Sequence, residues 1–89
     1  MKIKDGFILR QISDTYVIVA VGDAAEKFNG MIAINDSGAF IWSRISEGLS
    51  KEEIVKALLQ EYDVDEETAK HDVDFFIASI IDAGFTEEE

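Results

Sequence analysis

The sequence predicts an α+β fold, on three observations. The first third of the chain carries apolar stretches rich in β-branched residues. The remainder carries amphipathic stretches at helical spacing. Between them, Gly30 to Trp42 reads as a short strand, Met31-Ile32-Ala33-Ile34, running straight into a helix, with Asn35 or Asp36 offering a side-chain oxygen to the first free N–H groups. Three antiparallel strands followed by three helices with short links make a winged helix-turn-helix-like domain with its strands first.

The first strand is Phe7-Ile8-Leu9-Arg10-Gln11-Ile12, residues 7–12, and Ser13-Asp14-Thr15 are turn residues. The second, Tyr16-Val17-Ile18-Val19-Ala20-Val21 (16–21), is the richest in β-branched residues and pairs with the first as a hairpin. Residues 22–28 read as a loop that admits one helical turn. Asn29-Gly30 is a turn dipeptide that delivers the chain into the third strand, 31–34. All four residues of that strand are apolar, so both of its faces call for cover.

A helix over 36–45 places Gly38, Ile41, Trp42 and Ile45 on one face, with Phe40 on the opposite side. Trp42 shares its stripe with two isoleucines and belongs to the core. Gly48 breaks the chain. Ser50-Lys51-Glu52-Glu53 is a capping box for a helix over 51–62, and Leu49 and Ile54 occupy hydrophobic-staple positions. Ile54, Leu58 and Tyr62 form its buried stripe, and Glu52 and Lys56 are placed for an i,i+4 ion pair. Asp65 caps a third helix over 66–83, where Glu66 and Glu67 suit the helix dipole. Ala69, Val73, Phe76 and Ile80 define its core face. Phe75 lies off that stripe, near Asp72 and Ser79. Gly84 is the stop.

Eighty-nine residues make one domain, 1–89, and a chain this short buries only about two thirds of its unfolded surface. A hydrophobic fraction of 47% argues for a folded core rather than disorder. There is no cysteine, hence no disulfide framework, and no apolar run of membrane-spanning length, so a soluble cytoplasmic protein is expected. Charge is uneven: residues 1–49 carry a net −1 and residues 50–89 a net −10. The acidic half repels phosphate backbones and anionic lipid, which excludes nucleic acid and membrane as partners. Glu87-Glu88-Glu89 reads as a frayed tail.

Residues for catalysis are missing. Nucleophilic chemistry needs an activated nucleophile beside a base, and the single histidine, His71, sits on a polar helix face with Glu67 and Asp74. One imidazole with two surface carboxylates is a weak metal set, better read as a solvated face. Asp63 to Thr68 resembles a calcium loop, but Thr68 stands where the loop needs glycine and Asp74 where it needs glutamate. No enzyme, metal or cofactor is therefore expected. Asp36-Ser37-Gly38 resembles the Asp-Ser-Leu attachment site of acyl carrier proteins without its leucine, which makes a carrier using Ser37 a remote alternative. A winged-helix transcriptional regulator is the other. Its recognition helix would open Asp65-Glu66-Glu67-Thr68-Ala69-Lys70-His71-Asp72, four acids against one lysine, and that surface does not suit DNA.

The third strand holds the strongest functional signal. Met31-Ile32-Ala33-Ile34 contains no lysine, proline or other edge guard. Such a strand at a sheet edge is either covered internally or docks an extended peptide.

With the junction and the helix-turn-helix both in view, the sequence resembles the PqqD-like family, the stand-alone recognition domains of ribosomally made, modified peptides. The carrying segments are Phe28 to Trp42, Glu53-Ile54-Val55 through Leu58-Leu59, Glu61 to Ala69, and Asp72-Val73 to Ala83-Gly84-Phe85. Asn35 to Trp42 is the most specific: Asn, an acid, Ser or Thr, Gly, Ala, two variable positions and Trp. The resemblance implies a non-catalytic peptide chaperone. It binds the leader segment of a precursor peptide as an extra strand and presents it to a modifying enzyme, often a radical S-adenosylmethionine enzyme. Pyrroloquinoline quinone synthesis is one branch of such pathways. The implied peptide-binding residues are Met31, Ile32, Ala33 and Ile34 on the strand and Asp72, Phe75, Phe76 and Ser79 on the third helix. The same edge also admits a homodimer by self-pairing.

Overall fold

The computed structural model describes residues 2–27 and 31–87. Phe28 and the expected Asn29-Gly30 turn lie outside the described residues, as do the last two glutamates of the tail. The elements, in order, are β1 (Lys2–Ile3), β2 (Phe7–Ile12), β3 (Thr15–Ala20), α1 (Ala24–Lys27), β4 (Met31–Ile34), α2 (Asp36–Ser46), α3 (Lys51–Glu61), α4 (Glu66–Asp82) and β5 (Thr86–Glu87).

β2, β3 and β4 form one antiparallel sheet in that spatial order, with Leu9 opposite Ile18 and Ile18 opposite Ile32. Side chains on a strand alternate between faces. Leu9, Ile18, Ile32 and Ile34 accordingly pack into the core, while Ile8 and Met31 are left exposed on the other face. The expectation that both faces of β4 need cover is thus corrected. On β4 itself, Ile32 and Ile34 are half-buried while Met31 and Ala33 are exposed. Ile12 pairs with Thr15, so the hairpin turn is Ser13-Asp14, with Ser13 at φ 58°.

Each helix starts on local chemistry visible in the sequence. The cap of α2 is Asn35, not Asp36: its Oδ1 accepts the Gly38 N–H at 2.8 Å and the Ser37 hydroxyl at 3.1 Å. At α3 the capping box is complete, with Ser50 N–H donating to Glu53 and Glu53 N–H to Ser50 Oγ. Asp65 caps α4 by accepting the Thr68 N–H at 2.7 Å. The Glu52–Lys56 pair is not made. Lys51 instead reaches across to Asp74 of α4, and Lys70 pairs with Glu66. Phe40, set opposite the core stripe, meets Tyr62 edge-on at 5.7 Å, and the Arg44 guanidinium lies 4.9 Å over its ring.

The C-terminal end of α4 returns the chain to the core. Gly84 takes φ +86°, a conformation that costs a residue with a Cβ about 1–2 kcal/mol. Gly84 N–H then bonds Ile81 O and Phe85 N–H bonds Ile80 O, both at 3.0 Å, which closes a Schellman motif. That turn drives Phe85 inward to 1% exposure, 4.7 Å from the Phe7 ring and edge-on to Trp42. Beyond it β5 pairs with β1, Lys2 opposite Glu87. Glu87 is therefore part of a strand pair rather than a frayed tail, and the helices are not the last elements of the chain.

Candidate functional site

α4 runs beside β4 with a hollow of about 370 Å³ between them. Its floor is apolar and belongs to the core: Ile18, Ile41, Ile80 and Phe85 are all buried. One wall is Ile32, Ala33 and Ile34. The other is Asp72, Phe75, Phe76 and Ser79, which recur on α4 at intervals of three and four and so share a face. Asn35, Ser37 and Gly38 close one end.

Seven of the eight residues expected at a peptide site therefore border this one groove. Met31 does not. Its side chain belongs to the opposite face of the sheet and is 58% exposed. Phe76, expected on the core face of its helix, is half-buried, packing against the core and bordering the groove at once. Phe75 is 68% exposed and stacks on His71 at 6.5 Å. Ser79 Oγ donates to the Phe75 carbonyl at 2.8 Å, so its lone pairs are what it offers to a ligand.

Sequence reasoning missed the depth of the groove. Ile18 was legible only as a residue of a strand, Ile41 only as part of a helix face, and Phe85 only as one residue of a matching segment. Gly38 was legible as part of a helix face, but its purpose is spacing: a Cβ there would lie 3.1 Å from Phe76 Cε1 and 3.1 Å from Asn35 Oδ1. The signal available was a glycine in the first turn of a helix, where it is otherwise unfavourable.

The backbone adds directional chemistry. β4 is the last strand of its sheet and pairs only with β3. Among the described residues no strand lies along its other edge, and an edge strand presents unpaired N–H and C=O groups there. The strand edge and the apolar groove adjoin, which is the arrangement that binds an extended peptide by main-chain pairing with side-chain pockets alongside.

No three His, Asp or Glu side chains among the described residues are grouped to hold a metal ion. No described helix is long and apolar enough to cross a membrane. Tyr62, beside the groove's far end, has its hydroxyl pKa pushed up by burial and then by the nearby Asp36 carboxylate.

The chain is similar to TbiB1, as seen in complex with the TbiA(beta) leader peptide, at 29% identity over 100% of this chain and 98% of that one, with a TM-score of 0.79. Lasso peptide synthetase B1, complexed with the leader peptide, matches at 20% identity, 98% and 96% coverage and a TM-score of 0.78, a likeness of fold. No match is found among curated protein sequences. The model of the family of coenzyme PQQ synthesis protein D matches residues 9–85, most of the chain, and the protein belongs to the PqqD family.

Proposed function

We propose that this domain is a non-catalytic, cytoplasmic recognition element. It binds the leader segment of a ribosomally synthesised precursor peptide along β4 and holds it for a modifying enzyme such as a radical S-adenosylmethionine maturase. One observation carries the reading: the open edge of β4 borders an apolar groove floored by the core. TbiB1, similar over its whole length, is a protein seen with a leader peptide bound. Main-chain bonds to Met31–Ile34 supply register, and alternate peptide side chains enter the groove against Phe75, Phe76 and Ser79. Holding the leader in one pose lets the enzyme find the following segment as a tethered substrate.

The test is amide hydrogen exchange with and without the leader of a precursor encoded beside this gene. Residues 31–34 and the turns of α4 from Asp72 to Ser79 gain protection together. Proline at position 32 or 33, whichever directs its N–H outward, abolishes that protection while the fold persists. Protection confined to Ser37 or to the acidic start of α4 overturns the reading.

A second copy of the chain is the other occupant an open edge admits. If the free protein dimerises through β4, leader and partner compete for one edge, and added leader dissociates the dimer in analytical ultracentrifugation.

A further inference from the structure

The groove does not stop at Ile34. A second, more open hollow continues from it, and the two share Ile34, Asn35, Ser37 and Asp72. Its floor is again apolar, formed by Leu58, Tyr62 and Val64. A peptide that follows β4 past its last residue is carried over this floor. Neither hollow is lined by a lysine or an arginine.

Asp72 stands where the two hollows meet. It is half-buried, and it makes no ion pair or hydrogen bond with any described residue. Two other acids of α4 are paired, Asp74 with Lys51 and Glu66 with Lys70. Asp65 and Glu53 cap helices, and Glu47 binds Arg44. Asp72 is a half-buried carboxylate without a partner among the described residues, at the edge of an apolar floor. The fields of Asp14 and Asp36, which line the second hollow, add to it rather than cancel it.

We propose that Asp72 is a specificity residue, which selects peptides carrying a lysine or arginine beyond the apolar anchor that fills the first hollow. This rests on the function proposed above. The side chain suits the place. Its aliphatic stem lies over Leu58, Tyr62 and Val64, and its cationic head reaches Asp72. Side chains that enter the same side of a bound strand are an even number of residues apart, so the basic residue stands at even spacing from the anchor, on the Ile34 side.

The probe is a phage-displayed library of random peptides about a dozen residues long, enough to span four residues of β4 and both hollows. Selected sequences share an apolar residue and, at even spacing on the Ile34 side, a lysine or arginine. One selected peptide is then synthesised with its basic residue and with norleucine in its place, which keeps the stem and removes the charge. Norleucine weakens binding to the wild type about tenfold and to Asp72→Asn less than about twofold. Asp72→Asn keeps the wild-type melting temperature, since no bond of the fold is lost. Raising sodium chloride from about 50 to about 500 mM narrows the difference between the two peptides on the wild type.

Equal affinity of the two peptides for the wild type, with residues 31–34 still protected on binding, overturns the role of Asp72 and leaves the groove intact. A selection in which no peptide protects residues 31–34 overturns both.

Discussion

Gly38 of α2 and Phe76 of α4 meet across the end of the groove, so closely that a Cβ on Gly38 would stand 3.1 Å from the Phe76 ring. A methyl group there requires the Phe76 ring to give by a few tenths of an ångström. Gly38→Ala gains about 1 kcal/mol of helix propensity at most and pays about 1–3 kcal/mol for overpacking. The expected result is a stability loss of about 0–2 kcal/mol in urea denaturation and a clear drop in peptide affinity, as Phe76 is pushed into the groove. Adding Phe76→Leu to Gly38→Ala recovers stability. Strictly additive losses in the double variant exclude the contact.

Phe75 contributes little to the packed core. Its ring is 68% exposed on the groove wall. Phe75→Ala costs less than about 0.5 kcal/mol of stability. The same change weakens leader binding about tenfold, the order expected for losing one buried ring. Paired thermal melts and calorimetric titrations separate the two effects. A large fall in melting temperature with unchanged affinity contradicts this assignment.

Two helix caps give the domain an acid-sensitive edge. Hydrogen bonding with Ser50 holds the Glu53 carboxyl below its ordinary 4.5, and hydrogen bonding with Thr68, from its side chain first and then its N–H, holds Asp65 below 3.8. In both cases folding favours the ionised form. The stabilisation is complete above the ordinary values and drains away as pH falls through the lowered ones. Asp65→Asn keeps an acceptor for the Thr68 N–H without titrating. Between pH 7 and about pH 3 its melting temperature falls less than that of the wild type. Equal falls would show that the cap is uncoupled from acid unfolding.

We expect no binding of duplex DNA, despite the helix-turn-helix-like order of α3 and α4. The first turns of α4 expose Glu66 and Glu67, and its Lys70 is held by Glu66. Bringing that face to phosphates releases no counterions and costs repulsion. With a mixed-sequence duplex at low salt, anisotropy detects no binding below about 100 μM, the weak end of non-specific affinities. Salt-sensitive micromolar binding would restore the regulator reading.

What was legible in the sequence was what neighbouring residues decide among themselves. The Ser50–Glu53 box and the Asp65 cap involve partners three residues apart, and the β2–β3 hairpin needs only a two-residue turn. The walls of the groove were legible for the same reason, being four residues of one strand and one face of one helix. Its floor was not. Ile18, Ile41, Ile80 and Phe85 come from four separate parts of the chain, and no periodicity links them. The β1–β5 pair was invisible because two-residue strands far apart in sequence carry no pattern of their own. Phe85 reaches the core because Gly84 turns the chain, and where that turn points is a property of the packed helices.

Lys2 sits opposite Glu87 in the β1–β5 pair, so the two ends of the described chain leave at strand-pair spacing, about 5 Å apart. A module that enters and exits at one point can be spliced into a surface loop of another protein without prying that loop open. Grafted this way into a maturase, it would present its cargo at the roughly millimolar local concentration of a short tether. Engineering a fused modification enzyme then becomes a matter of choosing the host loop, with no redesign of the module itself.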